Sequence, residues 1–382
     1  MWVKNLFVSN FRNFARLDLE FSPRLNLFWG DNGEGKTNFL ESLYCLGHGT
    51  SFRTKTDEEL IKWGQPSLYL KGEGFKSERL FTYEVVLDRK VSKVRKVDSH
   101  RVGLRNPTKW LWMVTFSPED IWLVKGYPQQ RRDFLDAKLP LFNFRYSYLR
   151  SSYLRVLSQR NHLFFLKRIR KSINQELDIW DEQLVELGSK IVKLRLEGLE
   201  KLEFFFKEIY PRVMGRDSKI GLIYRSSFLK DPTPIISEEE IIEIFRKELK
   251  LKRKKELELE TTLVGPHRDD FLILADGIDL RCFGSQGEQR IATLSLKLAE
   301  LGLVNLREGE HPVTLLDDVA SELDPKRQKL LLDLVKEQSQ VFITTTHLSL
   351  FEPSFTKEGW LYQVMDKRVN PVRKFGRGFE LC

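Results

Sequence analysis

Gly30-Asp31-Asn32-Gly33-Glu34-Gly35-Lys36-Thr37 fits the pattern G-x-x-x-x-G-K-[ST], between an alternating apolar stretch and a run with helical spacing. That context marks a loop whose glycines let backbone N–H groups turn inward around phosphates. Lys36 can set its ammonium between the outer phosphates, and Thr37 can offer its hydroxyl to Mg²⁺. The helix that begins near Asn38 adds its positive end. ATP and Mg²⁺ are the expected ligands, and Gly30 through Asn38 are the candidate nucleotide-binding residues.

A second element follows nearly 300 residues later: Pro312-Val313-Thr314-Leu315-Leu316-Asp317-Asp318 reads as an apolar strand ending in two acids. Such a strand can deliver Asp317 to the metal side of the loop, leaving Asp318 to orient an attacking water. Alone, the pair could equally cap a strand at an exposed turn. Ser285-Gln286-Gly287-Glu288-Gln289 opens another helical run, so a hydroxyl, a glycine N–H and a helix N-terminus converge again. One nucleotide cannot fill two such sites in one head. The second, with Ser285, Gln286, Gly287 and Gln289, is therefore expected to clasp nucleotide held by a second copy; an ordinary helix cap would read the same. Ser321 and Asp324 occupy the place where ABC-type ATPases, which this order of elements resembles, carry the loop that links paired sites across a dimer, and His347 ends the next apolar strand, placed for the γ-phosphate. The order and spacing of these elements separate the ABC class of ATPase heads from other phosphate-loop proteins.

The surrounding elements support an α/β fold. Residues 2–29 alternate apolar and polar positions with a break at Ser22-Pro23, as a hairpin or strand pair would. Residues 68–116 are rich in β-branched and aromatic side chains and predict further strands, mostly antiparallel. From 128 to 210, and again from 238 to 260, the pattern becomes helical. The expected architecture is an ABC-type head of mixed sheet with an antiparallel β subdomain, built from residues 1–120 and 261–382 and interrupted by a helical lobe at 121–260.

The 382 residues carry a net charge of +9, which favours polyanions without identifying one. Cys45, Cys282 and Cys382 are scattered, with neither a zinc pattern nor a disulfide framework, which fits a reducing, cytoplasmic setting. The start has no leader-like organisation and no apolar run approaches 18 residues, so no membrane association is expected. For DNA, the ribbon Arg89, Lys90, Lys93, Arg95, Lys96, Arg101 and Arg105 is the preferred contact. Lys250 to Lys255 and the series Arg145, Arg150, Arg155, Arg160 are further basic clusters.

Asn10 to Phe14, Thr37 to Glu41, Ser51 to Thr54, Phe116 to Asp120, Gly126 to Asp136, Gly265 to Asp270 and Asp317 to Asp324 together resemble the RecF family of recombinational-repair ATPases, relatives of the SMC proteins. The resemblance covers nearly the whole chain. It implies an ATP-dependent homodimer that binds gapped or junction DNA and helps RecO and RecR install RecA on single strands. By the same resemblance, Arg12 and Asn13 approach the nucleotide. Asp318 stands where transporter heads usually carry Glu; its shorter reach predicts slow turnover. No clear glutamine of the loop coupling nucleotide to the helical lobe is present, and Glu119 is the candidate in its place. A transporter head would need a membrane partner, a long-armed SMC protein a far longer insert, and a kinase or helicase would not need the Ser285 element.

Overall fold

The computed structural model describes residues 1–90, 93–103, 111–166, 174–319, 323–336 and 339–373. Ser321 and Arg105 lie outside the described residues. Contacts divide the chain into two compact units, Met1–Asp120 with Val304–Cys382, and Ile121–Leu303.

In the first unit, two six-stranded sheets enclose the helix Lys36–His48. One sheet is antiparallel, in the order Phe14–Glu20, Trp2–Phe11, Ser67–Lys76, Arg79–Asp88, Val94–Val97, His100–Arg101. The other runs Arg368–Arg373, Trp360–Met365, Leu25–Trp29, Val341–Thr345, Val313–Asp317, Met113–Phe116, and is parallel except at its first pair. Both Val313–Asp317 and Val341–Thr345 are buried at every position, which is why they read as continuous apolar runs without alternation. Phe39, Leu40, Leu43 and Leu46 of the helix belong to one core with Val8, Leu70 and Val85 of the antiparallel sheet and Phe28, Leu315 and Phe342 of the parallel one.

Two expectations shift here. The tight hairpin falls at Arg12-Asn13, where Phe11 pairs with Phe14 and Arg12 takes a φ of 50°. The break at Ser22-Pro23 instead separates strands of different sheets. Met113–Phe116, expected among the antiparallel strands, pairs parallel with Val313–Asp317.

The second unit packs the helices Pro128–Lys138, Tyr146–Leu166, Asn174–Met214 and Glu238–Leu259 with a small antiparallel sheet, Ile278–Asp279, Asp270–Ala275, Ile220–Arg225. The lobe boundary expected at 260 differs from the observed division, because residues 261–303 group with the helices. Asp270–Ala275 pairs along its length with Ile220–Arg225, and Arg131 grips Asp270 through two bonds of 2.7 and 2.8 Å. Arg160, expected among exposed arginines, is 0% exposed and is held by Asp181 (2.6 Å) and Glu256 (2.7 Å). No helix among the described residues is long and apolar enough to cross a membrane.

Candidate nucleotide site

The parallel register sets the site. Asp317 lies opposite Thr344 and Thr345 opposite Trp29, so the loop from Gly30, the acid pair and His347 all leave the sheet at the carboxyl ends of adjacent strands, where ligands bind in parallel α/β sheets. Phe28 precedes the loop and Phe39 follows it; their rings stack at 4.1 Å. That contact pins strand to helix and holds the loop between them.

Within the loop, Gly35 has a φ of 110°, and a Cβ there would meet the Asn13 amide at 2.3 Å. A Cβ at Gly30 would meet the Val364 carbonyl oxygen at 2.0 Å. Only glycine fits either place. Lys36, 7% exposed, folds its ammonium onto the carbonyls of Gly30 (2.7 Å) and Asp31 (2.9 Å). Burial lowers its pKa, while Asp318 and Asp317 oppose the shift. This partly desolvated cation is suited to phosphate oxygens.

Thr37 Oγ1 donates to Asp317 Oδ1 at 3.0 Å, and Thr344 Oγ1 donates to the same oxygen at 2.7 Å. Burial raises the Asp317 carboxyl; the bonds from Thr344 and Thr37 oppose that rise, and the charge of Glu119 adds to it. Glu119, the coupling-loop candidate, therefore sits within electrostatic reach of the expected metal position. Among the described residues no three His, Cys, Asp or Glu side chains gather into a metal cage. A hydroxyl beside one carboxylate matches Mg²⁺, which takes few protein ligands and completes its shell with phosphates and water.

Asp318 follows the strand in the left-handed region, φ 50°. Its N–H donates to Thr344, to the carbonyl at 3.2 Å and to Oγ1 at 3.1 Å. Strained backbone of this kind persists only where neighbours hold it. His347 is exposed, and its N–H donates to Thr345 Oγ1 at 3.2 Å. Thr344 was not singled out from sequence; its Thr-rich strand end was the available signal.

The Arg12-Asn13 turn lies on the loop and its helix. Asn13 donates to the Glu34 carbonyl (3.0 Å) and accepts from Asn38 (2.8 Å). Arg12 makes two 2.9 Å bonds to Glu41, which is 0% exposed and also accepts from Ser51 at 2.5 Å. The Arg12 guanidinium is thus committed to Glu41 and to the Glu59 carbonyl (2.9 Å), and it braces the helix from behind. Glu41 carries this brace and had no assigned role in the sequence reading. Beside the turn, Arg12, Asn13, Asn38, Arg53, Lys62 and Trp63 line a cavity of about 420 Å³.

In the second unit, Ser285 caps the helix Gln286–Glu308: its Oγ accepts from Glu288 N–H (3.2 Å) and donates to the Glu288 carboxylate (2.9 Å), which also takes the Ser285 N–H (2.9 Å). This reciprocal pair satisfies two orphan donors. Ser285, Gln286 and Gly287 are exposed. Gln289 is not; its amide is buried and donates to the Leu280 carbonyl at 2.8 Å, so it shapes the loop from inside. Asp324 is exposed; it accepts from the Arg327 side chain at 2.7 Å and caps the next helix through the Arg327 N–H.

The basic ribbon is corrected in two places. Val94–Val97 is a strand, so its side chains alternate: Arg95 points inward, is 1% exposed, donates to the Gly47 carbonyl, and has its pKa lowered to about 10 by burial. Lys93 is paired with Asp57 at 2.7 Å, with its side chain largely covered. Arg89 and Lys90 are exposed and Lys96 is half-buried. Arg95 and Lys93 are thus spent on the fold.

The model of the RecF/RecN/SMC N terminal domain family matches residues 2–366. Proteins named DNA replication and repair protein RecF from Heliobacterium modesticaldum and Halothermothrix orenii are 40% and 42% identical, covering 95% and 91% of this chain and 97% and 92% of those proteins. A solved structure of the recombination mediator protein RecF-ATPrS in the RecFOR pathway has a TM-score of 0.89 at 34% identity, covering 97% of this chain and 98% of that one. An Smc head bound to the C-winged helix domain of ScpA shares the fold alone, with a TM-score of 0.54 at 14% identity.

Proposed function

This chain belongs to the RecF family of DNA replication and repair proteins, and from that premise we propose how its residues bind and hydrolyse ATP. It is an ABC-type ATPase head with a role in recombinational repair. The observation that carries the reading is the meeting of Lys36, Thr37 and Asp317 around a glycine cradle with no room for side chains at Gly30 and Gly35.

Backbone N–H groups of the loop and the first turn of the helix Lys36–His48 bind the phosphates, and Lys36 exchanges its carbonyl partners for phosphate oxygens. Thr37 and Asp317 would hold Mg²⁺, which when bound would supply charge neutralisation to the phosphates. Asp318 accepts a hydrogen bond from the attacking water and aligns it with the γ-phosphorus, and His347 donates to the γ-phosphate. A carboxylate one methylene shorter than glutamate aligns that water less often, so turnover is slow and the ATP-bound state long-lived.

The exposed Ser285, Gln286 and Gly287 face the γ-phosphate of ATP held by a second copy, with Ser321 and Asp324 linking the two sites. The paired state binds double-stranded, gapped or junction DNA and works with RecO and RecR. Sedimentation with and without ATP tests this reading directly: nucleotide should convert monomers to dimers in the wild-type chain, and a chain that stays monomeric with saturating ATP and Mg²⁺ would refute it.

A further inference from the structure

Two stretches that the nucleotide site does not use, residues 126–136 and 265–270, come together in the second unit. Most of their charges neutralise one another. Arg131 is spent on Asp270, and Arg195 is spent on Asp136 (2.8 Å) and the Pro266 carbonyl (2.5 Å). Arg132 is different. It is half-buried and donates only to neutral acceptors, the Asp269 carbonyl (2.6 Å) and the Gln129 amide oxygen (2.9 Å); among the described residues no carboxylate lies within ion-pair distance. Burial, then the like charge of Arg195, disfavours its charged state, and the more distant charges of Asp270, Asp136 and Asp269 oppose that shift without overcoming it. An arginine does not give up its proton in a protein, so a partly desolvated guanidinium of this kind is stabilised by an anion.

Space for one exists. Arg132, Arg150, Arg195, Asp136, Tyr153 and His267 line a cavity of about 70 Å³, several times the volume one water needs and enough for a phosphate group; its one carboxylate, Asp136, is shared by Arg195 and Arg150 (2.7 Å), which leaves the three arginines in excess. His267 is neutral, its pKa lowered to about 4 by burial, and it is occupied by Tyr153 (2.6 Å) and the Thr262 carbonyl (3.2 Å).

An independent feature continues the path. The helix Tyr146–Leu166 forms one wall of the cavity and holds neither Asp nor Glu; the whole stretch 137–175 is free of acids. Tyr148, Arg155, Gln159 and His162 are exposed, and Ser151 is half-buried. Their spacing of three and four residues puts them on one stripe, about 21 Å long at 1.5 Å per residue. Arginine, tyrosine, serine and glutamine are the side chains that contact DNA phosphates without reading sequence.

We infer that this surface holds the backbone of duplex DNA: one phosphate seats on Arg132 at the cavity, beside the Arg150–Asp136 pair, and its neighbours follow the stripe through Arg155. The inference rests on the reading that the chain binds DNA, and it moves the contact from the ribbon at 89–105 to the helical unit.

The test is the salt dependence of binding of the full chain, with ATP, to a fluorescent duplex. Each lost phosphate contact should lower the slope of log K against log salt by about 0.9. Arg155→Gln and Arg132→Gln should each lower it by about that much, raise Kd several-fold on any sequence, and leave binding of a fluorescent ATP analogue unchanged. Arg246→Gln removes a half-buried cation paired with Glu182 at 2.8 Å and should leave the slope alone. If Arg132→Gln melts early, Arg155→Gln decides by itself, since its side chain is exposed and, among the described residues, makes no hydrogen bond or ion pair. Wild-type slopes in both variants overturn the site and leave DNA binding standing; no duplex binding by the wild type at low salt overturns both. A thermal shift with inorganic phosphate that needs Arg132, alongside an unaltered duplex slope, would assign the cavity to a small anion and also overturn the inference.

Discussion

Thr37 and Asp317, 280 residues apart in sequence, share a hydrogen bond of 3.0 Å. Each is a weak motif element alone; joined, they define where a hard cation would sit. Asp317→Asn should retain ATP binding measured in EDTA, yet hydrolyse ATP about a hundredfold more slowly with Mg²⁺, a loss of about 2.7 kcal/mol at the transition state. Unchanged magnesium-dependent turnover would remove Asp317 from the metal site.

Asp318 and Ser285 separate hydrolysis from pairing. Asp318→Asn should bind ATP, hydrolyse it at least tenfold more slowly, and accumulate dimers in sedimentation. Ser285→Arg should bind ATP as well as wild type and remain monomeric, because it places a bulky cation on an exposed cap. Normal dimers from the arginine variant would show that the cap serves only its own helix.

The Arg12–Glu41 pair acts on stability. With Glu41 at 0% exposure, Arg12→Ala strands a buried carboxylate that, among the described residues, keeps only Ser51 and the Arg53 guanidinium at 3.6 Å. A loss of about 2–4 kcal/mol is expected in urea unfolding. Glu41→Gln should cost less, since the amide needs no countercharge. Equal losses would mean that packing, not charge, dominates.

His267 makes the second unit acid-sensitive. Its folded pKa is about 4, below the ordinary 6.5. Between those values the unfolded chain binds the proton and the folded one does not, so stability is complete above about pH 6.5 and falls as pH drops toward 4. The total is on the order of 3 kcal/mol. Denaturant midpoints at pH 7 and pH 5 measure it, and His267→Gln should flatten the difference.

The nucleotide loop, the acid pair and the antiparallel subdomain were legible because each is written in contiguous residues: a fixed spacing, a terminated apolar run, a two-residue alternation. What escaped depends on facts that no local window holds. Arg95 looks like its neighbours in a basic ribbon, but strand parity turns it inward beside Gly47. Gln289 matches a motif position, yet one helical turn beyond Ser285 it meets the Leu280 carbonyl and becomes interior. Glu41 reads as a helix surface residue until the hairpin carrying Arg12 closes on it. The lobe boundary moved because Asp270–Ala275 found its partner strand upstream, in Ile220–Arg225.

Leu25–Trp29, the strand that feeds the phosphate loop, has as its two neighbours Val341–Thr345 and Trp360–Met365. On the ribosome it must therefore wait unpaired until some three hundred further residues have emerged, roughly 15–60 s at ordinary elongation rates. Nascent chains cannot grip nucleotide during that interval, so competence waits for Val341–Thr345 to leave the exit tunnel.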